Sequence, residues 1–91
     1  MPRLRTHPGE VLDEEYLKPL GMSGASLGRA IDAKPNRITE IIRGHRGVTA
    51  DTALRLGRFF DTDPRFWLNL QDAYDLSVAE GAHDYSNIRH A

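Results

Sequence analysis

The chain has 91 residues, of which 40% are hydrophobic and 27% are charged, and its formal net charge is −1. This balance is typical of one small globular domain and excludes a chain that is mainly disordered. The absence of cysteine excludes disulfides, thiolate zinc sites and cysteine nucleophiles.

The spacing of apolar residues predicts five helices and no strand. The first helix covers THPGEVLDEEYLK. We expect Pro8 in its first turn, Glu10 reaching back to the N-terminal amides, and Pro19 and Gly21 as its stop. The second helix covers SGASLGRAI, and Ser23 is its predicted N-cap.

The second helix is expected to turn Leu27, Ala30 and Ile31 inward. At Asp32 we predict the left-handed conformation that a tight helix–helix turn requires. A third helix is predicted from Pro35 to Arg43, and Gly44 ends it. Its inner face carries isoleucines at i, i+3 and i+4, namely Ile38, Ile41 and Ile42.

The fourth helix lies in TADTALRLGRFF, with Thr49 as N-cap. Its expected core residues are Ala53, Leu54, Leu56, Phe59 and Phe60. The fifth helix lies in DPRFWLNLQDAYDLSVA and begins with a capped Asp-Pro pair. Its broad apolar surface comprises Phe66, Trp67, Leu70, Tyr74 and Leu76. We interpret residues 1–80 as a single domain and residues 81–91 as a flexible tail.

Basic residues are concentrated between Arg29 and Arg46. This stretch of eighteen residues holds five lysines and arginines but only Asp32 and Glu40 as acids. Such a stripe suits a phosphate backbone, although a solvated helix face is the more ordinary origin of a charge run. Because the third helix uses its isoleucines against the core, its basic face points outward. Two short helices in this arrangement predict a helix-turn-helix, whose outer helix enters the major groove of DNA.

Three segments resemble the HigA family of antitoxins, which are lambda-repressor-like, Xre-type helix-turn-helix proteins. These segments are HPGEVLDEEYLKPLGMS, NRITEIIRGHRGVTADTALRLGRFF and FWLNLQDAYDL. The resemblance implies an all-α, five-helix domain and a homodimer that binds a pseudo-palindromic operator in its own promoter. It also implies neutralisation of a HigB-type toxin, a small RelE-like ribonuclease that cleaves mRNA. The sequence departs from the usual pattern at Gly28, Asp32 and Pro35. We expect Gly28 to loosen the second helix by about 0.5–1 kcal/mol.

The predicted DNA-binding residues lie on the third helix and at the ends of its neighbours. Asn36 is expected to pair with adenine, and Glu40 either accepts from cytosine or merely pairs with a nearby arginine. Arg37 and Arg43 suit phosphate or guanine, and Thr39 suits phosphate or a thymine methyl. The remaining candidates are expected to contact the DNA backbone or to lie beside it: Ser23, Gly24, Lys34, Pro35, His45 and Arg46.

The fifth helix carries the predicted dimer contact, formed by Phe66, Trp67, Leu70 and Tyr74. An aromatic stripe more often closes a core, but a leftover apolar patch on a small domain marks an interface. The N-terminal stretch around Arg3 and Arg5, the first helix and the fifth helix are unranked candidates for the toxin contact.

The sequence predicts no enzyme, metal or cofactor. The four histidines are scattered, and neither a metal-binding helix motif, a glycine-rich phosphate loop nor a nucleophile–base pair occurs. No apolar run is long enough for a membrane span and no signal peptide is evident, so we expect a cytoplasmic protein. Two rival interpretations stay open: a stand-alone Xre-type regulator without a toxin, and a protein-interaction module that has lost DNA binding.

Overall fold

The computed structural model describes residues 5–91, and five helices make up most of this part of the chain. Helix α1 is continuous through Pro8–Val11, a π-helical stretch at Leu12–Leu17, and Lys18–Leu20. The others are α2 (Gly24–Ala30), α3 (Pro35–Ile42), α4 (Ala50–Phe60) and α5 (Pro64–Ala82). The predicted all-α, five-helix architecture is confirmed. No helix within residues 5–91 combines the length and apolar character that crossing a lipid bilayer requires.

Helix α1 begins at Pro8 and ends at Gly21 as predicted, but its side-chain cap is His7 rather than Glu10. The His7 side chain caps it, because Nδ1 accepts a hydrogen bond of 2.9 Å from the Gly9 amide. Burial lowers the pKa of His7, which favours the neutral ring that such an acceptor requires. Of the two predicted stop residues, Pro19 lies inside the helix, which continues to Leu20, whereas Gly21 ends the helix with φ 64° as predicted. The π-helical stretch at Leu12–Leu17 comes directly before Lys18 and Pro19, and proline has no N–H to donate to an earlier carbonyl of the helix.

Three polar side chains cap the later helices. Oγ of Ser23 accepts from the Ser26 amide at 3.1 Å, and Oγ1 of Thr49 accepts from the Thr52 amide at 3.3 Å. Asp63 caps α5 through the Arg65 amide at 2.9 Å. Caps of this kind each contribute about 1 kcal/mol, so the sequence marks these three helix starts directly.

Two tight connections use the left-handed backbone region. Asp32 has φ 56°, as predicted for the turn between α2 and α3, and Asp61 adopts φ 55° before α5. Gly44 has φ 77° and ends α3, also as predicted. Helix α5 runs through Gly81 to Ala82, so the predicted domain boundary falls inside the helix.

Trp67 lies at the centre of the core with 0% of its surface exposed. Its Nε1 donates to Thr62 Oγ1 at 2.9 Å, and its ring packs 5.1 Å from that of Tyr16. The assignment of Trp67 to a dimer contact was therefore wrong, because a side chain enclosed by its own chain has no surface for a second copy. The rest of the enclosed apolar core is aliphatic and consists of Leu12, Leu17, Leu27, Ile31, Ile38, Ile41, Val48, Ala53 and Leu56.

Several apolar residues face outward against prediction. Leu54 is 61% exposed, Phe59 is 42% exposed, and Ala30 is exposed as well. On α4 the buried residues are Thr52, Ala53, Leu56 and Gly57. These four positions define the inner face at i, i+1, i+4 and i+5, and Leu54 lies on the opposite side of the helix.

Glycines bring the backbones of α1, α2 and α3 into close contact. A Cβ at Gly9 would overlap the Ile41 carbonyl group of α3 and lie 3.0 Å from Ile42 Cα. A Cβ at Gly28 would lie 3.0 Å from Pro35 Cα and 3.3 Å from the Ala33 carbonyl oxygen. Gly28 therefore allows α2 to approach the start of α3, which offsets the loss of helix propensity expected from its sequence.

The substitution Gly9→Ala is expected to destabilise the protein by about 2 kcal/mol or more, because the added methyl meets main-chain atoms that cannot rotate away. Thermal unfolding followed by circular dichroism measures the effect. Gly81→Ala is the matched control, since a Cβ there meets nothing within 4 Å. Equal melting temperatures for the two variants would contradict the close contact between α1 and α3.

Candidate nucleic-acid interface

The inner face of α3 rests on the core and its outer face is exposed to solvent. Ile38 and Ile41 are fully buried, whereas Lys34, Pro35, Asn36 and Arg43 are exposed. Helix α2 precedes it after a short turn, which is closed by a 2.8 Å hydrogen bond from the Ala33 amide to the Gly28 carbonyl. This is the arrangement of a helix-turn-helix whose second helix is available to a groove of DNA.

The start of α2 lies beside the middle of α3. Thr39 Cγ2 is 3.2 Å from the position that a Cβ of Gly24 would occupy, so its methyl faces α2. The Thr39 hydroxyl donates to the Asn36 carbonyl at 3.1 Å. This conformation does not present the methyl for the predicted contact with thymine. It brings Ser23, Gly24 and Thr39 together at one edge of the candidate interface.

The hydroxyl of Ser23 is already used within α2. It accepts from the Ser26 amide and donates to Ser26 Oγ at 3.0 Å. The Gly24 amide is the first of the helix, a position whose N–H has no intrahelical acceptor. The Gly24 N–H thus has no partner within its own helix, whereas the Ser23 hydroxyl already has two hydrogen bonds.

The sequence left open whether Glu40 pairs with Arg37 or Arg43. In the structure, Glu40 pairs with Arg46, which follows α3 in the connection to α4. The distance from Arg46 Nε to Glu40 Oε2 is 2.7 Å, and the His45 amide donates to the Glu40 carbonyl at 2.9 Å. The neighbouring arginines considered from sequence, Arg37 and Arg43, are not its partners. Glu40 thus holds His45 and Arg46 against the outer side of α3, where both remain exposed.

Arg37 is half-buried and pairs with Asp51 of α4. Its Nη1 lies 2.9 Å from Asp51 Oδ2, and the same oxygen accepts from Arg55 Nε at 3.0 Å. Hydrogen bonds from Arg55 and then Arg37 lower the pKa of Asp51. Asp51 partly neutralises Arg37. Lys34 and Arg43, in contrast, form no ion pair with any residue between positions 5 and 91.

Gln71 supports the connection between α3 and α4 and was not singled out from sequence. It is 9% exposed, and its Oε1 accepts from the Val48 amide at 2.8 Å. Its Nε2 donates to Asp75 Oδ1 at 2.9 Å, and its amide packs against Gly47. The spacing of four from Trp67 places Gln71 on the inner face of α5, which was the available signal.

The predicted dimer residues are unevenly exposed. Phe66 is 37% exposed, whereas Leu70 and Tyr74 are half-buried and Tyr74 packs edge-on against His7 at 4.8 Å. Three or more potential metal ligands do not converge anywhere in the described part of the chain.

Comparison with known proteins identifies a family. Residues 14–67 match the helix-turn-helix family described as HTH_3. Virulence-associated protein I of Dichelobacter nodosus is 56% identical over 82 residues, which cover 90% of this chain and 76% of that protein.

Two solved structures are similar in fold as well as in sequence. An addiction module antidote protein of the HigA family from Coxiella burnetii is 43% identical, with a TM-score of 0.87 and coverage of 98% of this chain and 100% of that one. The Pseudomonas aeruginosa antitoxin HigA, solved with the higBA promoter, is 44% identical, with a TM-score of 0.83 and coverage of 90% and 86%. The matched helix-turn-helix family is not a family of enzymes, which confirms the prediction that this chain is not an enzyme. The chain belongs to the HigA family of DNA-binding helix-turn-helix antitoxins.

Proposed function

We propose that this protein is an autorepressing antitoxin: a homodimer that places α3 in the major groove of a pseudo-palindromic operator and neutralises a HigB/RelE-like, mRNA-cleaving toxin. One observation carries the DNA-binding part. Ile38 and Ile41 are fully buried in the protein's own core, so the outer side of α3, with Asn36 and Arg43, is left for a ligand. The Pseudomonas aeruginosa antitoxin solved with promoter DNA supports the same use of this fold. We place this activity in the cytoplasm.

The exposed groups divide into one base reader and several backbone contacts. Asn36 projects from the first turn of α3, where an amide can make two hydrogen bonds to adenine. Lys34 and Arg43 form no ion pair within residues 5–91, so their charge is available to phosphate. His45 and Arg46 follow α3 and are exposed, and Gly24 at the start of α2 lies beside Thr39 of α3. Pro35 shapes the helix start and has no N–H to donate.

Glu40 and Arg37 have changed roles in this proposal. Because Glu40 pairs with Arg46 at 2.7 Å, its first effect is to orient that arginine rather than to read cytosine. Arg37 lies 2.9 Å from the Asp51 carboxylate, which it shares with Arg55. In this position it reaches phosphate only from the edge of α3. Both residues stay in the proposed interface.

The toxin contact is proposed for the region where the N-terminal segment meets α5. Of the candidate surfaces, Arg3 lies outside the described residues. The backbone amide of Arg5 donates to Ser77 Oγ of α5 at 3.1 Å, so two of the candidates lie next to each other. A neighbouring reading frame for a RelE-like protein would support this half of the proposal, and its absence would favour a stand-alone regulator.

Arg43→Ala is expected to weaken binding to cognate and random duplexes alike and to reduce the slope of log K against log salt by about 0.9, the effect of one lost phosphate contact.

Asn36→Ala is expected to cost about 1–3 kcal/mol mainly on the cognate operator. Fluorescence anisotropy on fragments of the upstream region at several salt concentrations measures both effects. Loss of affinity for all sequences in Asn36→Ala would contradict base reading, and no binding by the wild type at low salt would leave an interaction module.

A dimer contact at the exposed Phe66 is part of the proposal, since two recognition helices about 34–36 Å apart read two half-sites. Phe66→Asp is expected to raise the dimer dissociation constant by about 30-fold or more, equivalent to about 2 kcal/mol. Analytical ultracentrifugation measures it, with circular dichroism as a check on folding. Leu54→Asp on α4 is the matched control, because Leu54 is even more exposed at 61%. Dissociation by Leu54→Asp alone would move the contact to α4.

A further inference from the structure

Arg55 of α4 connects three parts of the helix-turn-helix. Its Nη1 donates to the Ile31 carbonyl at 2.8 Å and to the Asp32 carbonyl at 2.9 Å. Its Nε donates to Asp51 Oδ2 at 3.0 Å, and that oxygen also accepts from Arg37 Nη1 at 2.9 Å. One guanidinium therefore binds the α2–α3 turn directly and reaches the first turn of α3 through a shared carboxylate.

The α2–α3 turn needs such a donor. The last carbonyls of a helix have no intrahelical partner, and a cation near them is favourable for the helix dipole. Asp32 also holds φ 56°, a conformation that is uncommon for residues other than glycine and that persists when its surroundings determine it. Arg55 binds the carbonyl oxygens before and after the Asp32 Cα. Its two hydrogen bonds thus help to set the angle at which α3 leaves α2.

The contact between Arg55 and Asp51 also affects Arg37. Asp51 lies at the start of α4 with 57% of its side chain exposed, and it bonds both arginines through one oxygen. Without Arg55, that carboxylate would be held only by Arg37 and would be able to turn towards solvent. The direction of the Arg37 guanidinium at the edge of α3 therefore depends on Arg55 by way of Asp51.

We propose that Arg55 is a positioning residue for DNA binding, which fixes the α2–α3 turn and, through Asp51, the orientation of Arg37 without touching DNA itself. This inference rests on the proposed function. It assigns part of the operator affinity to a residue of α4, outside the candidate interface.

Operator binding by Arg55→Gln and Arg55→Lys tests the inference, with Arg58→Gln as the matched control. Arg58 lies on the same helix, is exposed, and makes no ion pair with any described residue. Anisotropy should show that Arg55→Gln and Arg55→Lys each bind the operator about 10- to 100-fold more weakly, the range for losing hydrogen bonds to charged groups. Arg58→Gln should bind within about threefold of wild type, as expected for a surface change away from such contacts. If Arg55 acted only by charge, Arg55→Lys would retain the affinity, and that result would overturn the inference.

A double-mutant cycle separates positioning from general stability. The combined variant Arg37→Ala/Arg55→Gln should lose less affinity than the product of the two single losses, because both changes act partly through the same guanidinium. Asp51→Asn, which leaves the turn carbonyls bonded to Arg55, should show a smaller loss than Arg55→Gln. All titrations are made at a temperature where circular dichroism shows each variant folded.

Full additivity in the cycle, or Arg55→Gln equal to Arg58→Gln, would overturn the positioning role while leaving the proposed function standing. Failure of both wild type and Arg58→Gln to bind any upstream fragment would overturn the two together.

Discussion

The contact of α3 with the rest of the chain is the constraint on which the other features depend. Ile38 and Ile41 are enclosed, and the backbone of α1 at Gly9 touches the carbonyl of Ile41 directly. A helix held this closely on one side cannot rotate, so the residues on its other side keep a fixed direction. Recognition of a groove requires such rigidity, because base contacts depend on the position of side chains to within a fraction of an ångström.

Ion pairs partly neutralise some basic residues of the stretch from Arg29 to Arg46 and, within the described part of the chain, leave others unpaired. Arg37 is neutralised in part by Asp51, and Arg46 by Glu40 at 2.7 Å, whereas Lys34 and Arg43 lack such partners among residues 5–91. These two ion pairs make the candidate interface less positive than its lysines and arginines alone would suggest. In the proposed complex, a weaker non-specific attraction to phosphate would leave a larger share of the affinity to positioned groups such as Asn36.

The sequence predicted the helices well because their starts are chemically marked. Ser23, Thr49 and Asp63 cap the helices they precede, and the isoleucines of α3 identified its inner face. Which apolar residues of α4 and α5 face inward was harder to predict, because both helices are apolar over a wide arc and only tertiary packing selects the side. Leu54 was therefore placed inside and Trp67 outside. Helical spacing could have placed Gln71 on the inner face of α5, but the bonding partners of Gln71 and Arg55 lie 23 to 24 positions away in the chain, and no local pattern reveals them.

Contact between DNA and the outer side of α3 is measured by recording amide chemical shifts of ¹⁵N-labelled protein during titration with an operator duplex. We expect the largest changes on Gly24, on Asn36 to Glu40 and on Arg43 to Arg46, with little change along the exposed side of α5. Large changes centred on α5, with α3 unaffected, would contradict this contact.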